Sequence, residues 1–236
     1  FFSMTIWRLG FDVCLVVGPT LGYLAQFLRI KEEKCSEAFS LSVSFILIGS
    51  ALMRLFFWWG KQFDTALLFQ SVAMLLAQLM LLRICTIYPS KAQRGHRFMG
   101  CKLVHFWYWE DYLSYLLAIA LGGMILTIAT YFMQDSEMYF ELLGYASLSL
   151  EATLVLPQVA QNFRRRSVEG LSRFLVAGWV FGDMAKAAYF VMTGAPTQFL
   201  MCGCVQLSID TLIIAQFVLY RGRPPFQSDL AVHLHS

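Results

Sequence analysis

The sequence predicts an all-α integral membrane protein of seven transmembrane helices, built as two parallel triple-helix bundles joined by a connecting helix in a 3+1+3 plan. Three observations carry that expectation. The 236 residues are 58% hydrophobic and only 14% charged, where a soluble domain carries about 25% charged residues. About seven apolar runs are long enough to cross a bilayer, which takes ~20 residues each. One motif also occurs twice: Ala25-Gln26 with Glu37 and Phe39-Ser40, then Pro157-Gln158 with Glu169 and Leu171-Ser172. The offset is 132 residues each time (158 − 26, 169 − 37, 172 − 40), and it also carries Arg54 onto Lys186. An internal repeat of spanning units is a common plan among transporters, with the working site between the halves.

The runs fall at 7–28, 40–60, 64–87, 112–133, 138–162, 172–193 and 197–220. The first is too long, and too poor in basic residues at its front, for a signal peptide, so it reads as a true first helix. The chain opens on Phe1 rather than Met, and residues are expected ahead of it. The segments after runs one, three, five and seven hold Arg29, Lys31, Lys34, Lys91, Arg94, Arg97, Lys102, Arg164, Arg165, Arg166, Arg173, Arg221 and Arg223. The opposite side holds Arg8 and Lys61 with Asp64, Asp135, Glu137 and Glu141. Excess Lys and Arg mark the cytosolic side, which places the N-terminus in the lumen, the C-terminus in the cytosol and both motif copies at the cytosolic face. Three helices plus one connector restore the starting orientation, so the repeats are parallel. The expected divisions are 1–88, a first three-helix repeat; 89–133, a cytosolic loop and the connector; 134–223, a second three-helix repeat; and 224–236, a cytosolic tail.

The six cysteines give no disulfide framework. Cys14, Cys202 and Cys204 sit in apolar runs and read as small hydrophobes. Cys35, Cys85 and Cys101 lie near the basic side, where acylation is an alternative to burial. Cys202-Gly203-Cys204 is too tightly spaced for a structural zinc pair. No metal, cofactor or nucleic-acid partner is expected, and the sequence holds no nucleophile–base pair and no glycine-rich phosphate loop. Nothing in it argues for an enzyme.

Pro157-Gln158 followed by Arg164-Arg165-Arg166-Ser167-Val168-Glu169-Gly170-Leu171-Ser172 closely resembles the signature of the PQ-loop repeat family, solute carrier family 66. That family shares its fold with the sugar-transporting SWEET proteins and the KDEL receptor, and the similarity covers nearly the whole chain. Phe56–Phe63, His105–Trp109, Gly182–Phe190 and Gly194–Phe199 with Cys202-Gly203 and Gln206 resemble one branch of it. The family includes lysosomal exporters of cystine and cationic amino acids. The branch resembled is associated with phospholipid scrambling and with traffic between endosomes and the trans-Golgi. The resemblance therefore implies a SWEET/PQ-loop fold, residence in endosome and trans-Golgi membranes, phospholipids as partners, and a cytosolic trafficking partner at the motif loops. One departure stands out: the first repeat reads Ala25-Gln26 rather than Pro-Gln, with Pro19 two turns earlier.

Several residues inside the runs carry charge or polarity. A proline within a helix removes a hydrogen bond and clashes with the preceding turn, so Pro157 reads as a kink and Gln158 as a donor to the freed carbonyl or to a ligand. Gln26 is its counterpart in the first repeat. Glu151 lies seven residues before Gln158, which on one helix puts both on one face. A carboxylate at that depth must be paired, protonated or in water. Arg54 either snorkels to the near interface or, with its counterpart Lys186, faces a cavity suited to an anionic group such as a phosphate. Asp183, one turn before Lys186, either forms a neutral latch with it or shares a substrate site. Gln206 and Asp210 make a polar stripe on the last helix with Gly203, while Asp12 lies near the luminal end of the first. Phe106-Trp107-Tyr108-Trp109 reads as an interfacial aromatic belt, and Arg164-Arg165-Arg166 as a contact for anionic headgroups or as part of the positive-inside pattern.

Three functions are compatible with this pattern. An energy-independent phospholipid scramblase would use Arg54, Lys186, Asp183, Glu151, Gln206 and Asp210 along a headgroup path. A proton-coupled carrier of a small, amino-acid-like solute would use Glu151, Asp183 or Asp210 as the proton site and the Gln158 kink as the moving part. A receptor would use its cytosolic loops. The absence of a nucleotide-binding motif disfavours an ATP-driven pump, and the branch resemblance favours lipid.

Overall fold

The computed structural model describes residues 2–36, 39–90, 107–166, 168 and 173–220, with the side chains of 2–9, 158, 161, 165 and 173–175 outside that description. The motif residues Glu37, Glu169, Leu171 and Ser172, the side chain of Gln158, the loop 91–106 and the tail from 221 onwards thus lie outside the described residues. Among the described residues there are eight helices and no strand: α1 Phe2–Glu33, α2 Leu41–Lys61, α3 Thr65–Ile87, α4 Tyr112–Met133, α5 Glu137–Thr153, α6 Leu156–Arg165, α7 Arg173–Thr193 and α8 Thr197–Leu219.

The internal repeat is written into the helix ends. Shifting α2 and α3 by 132 residues gives 173–193 and 197–219, the bounds of α7 and α8, and the same shift carries the end of α1 at Glu33 onto the end of α6 at Arg165. The left-handed residues pair in the same way. Lys34 (φ 52°) maps onto Arg166 (φ 47°), and Gln62 (φ 45°) onto Gly194 (φ 62°). A left-handed residue just past a helix closes its last carbonyls. Gly194 does so for α7, where the Ala195 amide donates to the Phe190 carbonyl at 3.0 Å.

The two copies differ where Ala25 is replaced by Pro157. α1 runs unbroken for 32 residues despite Pro19, whereas the single run expected at 138–162 is two helices separated by a turn at Leu154–Val155. Pro157 sits in the first turn of α6, where the missing amide hydrogen costs no helical bond. It breaks the segment rather than kinking one continuous helix. Among the described residues the expected runs thus appear as eight helical segments, with a turn between Glu151 and Gln158 where one continuous helix was expected. Five helices among the described residues are long and apolar enough to cross a membrane: Gly10–Glu33, Leu41–Lys61, Thr65–Ile87, Tyr112–Met133 and Thr197–Leu219. α5 and α6 are each too short alone, and α7 carries Asp183 and Lys186 in its middle.

The molecule divides into two compact units, residues 1–151 and 152–236. In the first, α1 and α2 both pack against α3, and α4 lies against α2 and α3. In the second, α6 and α7 both pack against α8. The last helix of each unit's repeat is thus the central one. The repeat boundary expected at 134 concerns sequence symmetry, whereas these units follow packing, which places nearly all of α5 with the first. Asp64 and Asp111 cap α3 and α4 by accepting from the amides of Ala66 (3.0 Å) and Ser114 (2.9 Å), filling donors that a helix start leaves open. Outward positions such as Leu121, Ile125, Phe132, Phe181, Met192 and Val218 are exposed apolar side chains, the surface a bilayer would cover.

The aromatic belt expected before the fourth helix is instead a plug. Trp107 and Trp109 are buried in the core formed with Ile30, Leu81, Cys85 and Tyr115, while Phe106 lies outside the described residues. Wholly buried Tyr115 fixes them: its hydroxyl accepts from the Trp109 amide at 2.9 Å, and its proton can reach the Trp107 and Trp109 carbonyls at 3.2 and 3.1 Å. Tyr115 thus holds the backbone of the two tryptophans, not their indole N–H groups. Tyr115→Phe strands these backbone groups and should cost about 1–3 kcal/mol, read as a lower midpoint in thermal unfolding. An unchanged midpoint would return the aromatics to a surface role.

Candidate functional site

Two polar clusters lie inside the apolar helices, one in each unit. The first is built on the seam between α2 and α5. Ser44, Leu47, Ala51 and Arg54 recur at helical spacing and form the buried stripe of α2. Arg54, only 5% exposed, donates through Nη2 to the Glu151 carboxylate on α5 and to Ser50 Oγ at 3.4 Å. Ser50 Oγ in turn donates to the Ser147 carbonyl of α5 at 2.8 Å. Two reciprocal sockets hold the helices this close. A Cβ at Gly144 of α5 would lie 2.7 Å from the Phe57 ring of α2, and one at Gly60 of α2 would lie 2.3 Å from the Phe140 ring of α5. Tyr23 of α1 lies near enough to Glu151 to feel its charge. Beside the pair, a void of about 10 Å³ is lined by Arg54, Glu151, Ser50, Gln70 and Ser71, which is room for about one water. Arg54 Nε, buried and without a hydrogen-bond partner, is a donor for that water.

The second cluster joins α7 and α8. Lys186 Nζ donates to Asp183 Oδ1 at 3.1 Å, the one-turn latch that their spacing predicts. Asp210 of α8, 4% exposed, lies near enough to Asp183 and Lys186 to feel both charges. Its Oδ2 is buried and has no hydrogen-bond partner. Gln206 is half-buried one turn earlier on α8, and buried Gly203 faces Ala187 and Phe190 of α7. At the other end of the unit, Asn162 donates to Gln216 Oε1 at 3.1 Å, and Gln216 Nε2 donates to the Val159 carbonyl at 3.0 Å. That brace holds α6, the segment carrying Pro157, onto α8. Gln26 is half-buried in α1.

The clusters bring together Arg54 with Glu151, and Asp183 with Lys186 and Asp210. Neither cation stands alone before an anion site; each has an acidic neighbour. The repeat offset also exposes an asymmetry, since Asp210 corresponds to Gln78 (210 − 78 = 132). Gln78 is wholly buried and neutral, accepting a hydrogen bond from Ser44 Oγ at 2.7 Å. Sequence reasoning passed over Ser44, Ser50, Gln70, Ser71 and Gln78. The available signal was their helical spacing: buried Gln70, Ser71 and Gln78 share one face of α3 with Met74.

Residues 139–199 match the family model described as PQ loop repeat. This chain carries a PQ-loop repeat. The PQ-loop chain is 26% identical over 125 residues to Scramblase ANY1 of Saccharomyces cerevisiae, a match covering 49% of this chain and 31% of ANY1. It thus spans about a third of that relative's length. A eukaryotic SWEET transporter structure superposes with a TM-score of 0.62 at 17% identity, over 89% of this chain and 91% of the transporter. This chain therefore shares the fold of the SWEET transporter, and with its apolar helices it is an integral, multi-pass membrane protein. The relatives that carry this inference are a scramblase and a transporter, not enzymes.

Proposed function

We propose that this PQ-loop protein is an energy-independent phospholipid scramblase of endosome and trans-Golgi membranes, supporting endosome-to-Golgi traffic. The observation that carries the reading is the 125-residue similarity to a protein named as a scramblase. The buried polar clusters add to it, because a headgroup crossing the bilayer needs polar side chains within apolar helices. On this reading the chain spans seven times in a 3+1+3 plan, with α5 and α6 together forming one broken span. The N-terminus is luminal and the C-terminus cytosolic, as the Lys and Arg distribution favours. The repeats run over 1–88 and 134–223 with the connector at 89–133, and the helix bounds related by 132 residues support that division. Arg54, Glu151, Asp183, Lys186, Gln206 and Asp210 line or gate the headgroup path, Pro157 and Gln158 supply its hinge, and Gln26 stands at the unbroken counterpart.

A second reading, a proton-coupled carrier of a small solute, draws on the SWEET-type fold and on the carboxyls Glu151, Asp183 and Asp210 within the helices of the two units. Lipid flip-flop in reconstituted liposomes separates the two. With a fluorescent phospholipid and a membrane-impermeant quencher, protein-free vesicles should protect the inner-leaflet label. Vesicles holding the protein should lose nearly all label without ATP or an ion gradient. Lys186→Ala should slow the exchange roughly tenfold, equivalent to about 1.4 kcal/mol of barrier. Well-folded protein that leaves the inner-leaflet label protected would sink the scramblase reading in favour of the carrier.

A further inference from the structure

We propose that the Asp183–Lys186–Asp210 cluster binds a single cation, the primary ammonium of an amine-bearing phospholipid, in competition with a proton. The inference rests on the lipid reading above and names the headgroup chemistry. Two carboxylates and one ammonium leave one negative charge uncompensated inside apolar helices, a costly arrangement unless a further cation joins them. Asp183 and Asp210 lie close enough for each to feel the other's charge, and a bound proton is one cation that can offset the surplus. Without a ligand, the missing charge is that proton. At the equivalent place in the first unit neutral Gln78 stands where Asp210 does, and Arg54 pairs with Glu151.

Two further observations point to a ligand and to its kind. Asp210 Oδ2 is buried with no donor; a primary ammonium supplies N–H donors, whereas a quaternary ammonium has none. An open apolar groove of about 470 Å³ also runs between α7 and α8, lined by Val176, Val180, Met184, Ile214, Phe217 and Val218. Val176 and Val180 lie at helical spacing from Asp183, and Phe217 and Ile214 from Asp210, so the helix faces that line the groove continue towards the cluster. A charge-hungry end joined to an apolar trough fits a lipid headgroup and acyl chain. The groups that face Asp210 from α7 are Asp183 and Lys186. α6, the other helix packed on α8, meets it through Asn162 and Val159, neither of which titrates.

The test is ligand binding by the purified full chain in detergent, followed as the shift in thermal midpoint with short-chain phospholipids carrying ethanolamine, choline or glycerol headgroups, and with free ethanolamine. The ethanolamine lipid should bind at least roughly tenfold tighter than the glycerol lipid, the value of about one charge-assisted hydrogen bond. Lowering the pH should weaken that binding, as protons refill the site. Asp210→Asn should erase the preference, and Asp183→Asn serves equally if the first variant folds poorly. Equal or tighter binding of the glycerol lipid overturns the proposal, as does a preference that survives both substitutions. Free ethanolamine binding as tightly as its lipid overturns the acyl-chain part. Asp210-dependent binding in a protein that scrambles nothing would discard the scramblase and keep the amine site.

Discussion

Glu151→Ala should lower the stability of the first unit by about 3–5 kcal/mol, the scale set by leaving a buried charge without its partner. Arg54 is 5% exposed and its Nη2 is held by Glu151 and Ser50. The guanidinium cannot shed its proton, so the variant must bury a bare cation or turn the side chain outward through packed apolar neighbours. Arg54→Ala should be milder, because the carboxylate left behind can neutralise itself by taking a proton. Its deficit should shrink further as the pH falls, while that of Glu151→Ala should not. A double variant, Arg54→Met with Glu151→Leu, keeps volume and removes both charges, so it should be more stable than Glu151→Ala alone. Thermal midpoints of detergent-purified protein, with labelling of buried Cys85 as an independent report of opening, check all three. A double variant that merely adds the two single losses would mean that the pair is no energetic unit.

The asymmetry between this pair and its counterpart shows how far the chain could be read without coordinates. The 132-residue offset was legible, and the helix bounds and left-handed caps repeat at that distance. The Asp183–Lys186 latch was legible too, since a spacing of three fixes neighbours on a helix. The partner of Arg54 was not. Glu151 is 97 positions away, and helical periodicity gives the face a residue occupies but not the helix that face meets. Composition also misplaced Trp107 and Trp109, because a preference for the interface is an average, and here Tyr115 anchors the backbone of both inside the core. Pro157 was legible as a disturbance, but whether it bends a helix or ends one depends on the brace from Asn162 and Gln216, which the sequence separates by 54 residues.

Gly144→Leu should part α2 from α5 and unsettle the Arg54–Glu151 pair without touching either charge. The Phe57 ring is wholly buried, and even a Cβ at Gly144 would lie 2.7 Å from it, well inside van der Waals contact. Alanine there should cost about 1–3 kcal/mol as overpacking, reduced by the ~1 kcal/mol that alanine gains over glycine in a helix; leucine should cost more. Phe57→Ala should be destabilising for the opposite reason, losing about 3–5 kcal/mol to the void it leaves. The two defects are complementary in shape, so combining Phe57→Ala with Gly144→Leu should recover part of both losses, a favourable coupling in a double-mutant cycle. Gly60→Leu against Phe140→Ala repeats the experiment at the second socket, where the ring sits nearer still. Strict additivity at both sockets would mean that the rings have room to turn aside. In that case the closeness of α2 and α5 would rest on the polar links between them, among them the Arg54–Glu151 and Lys61–Glu141 ion pairs and the Ser50–Ser147 bond, and Glu151→Ala should loosen the seam.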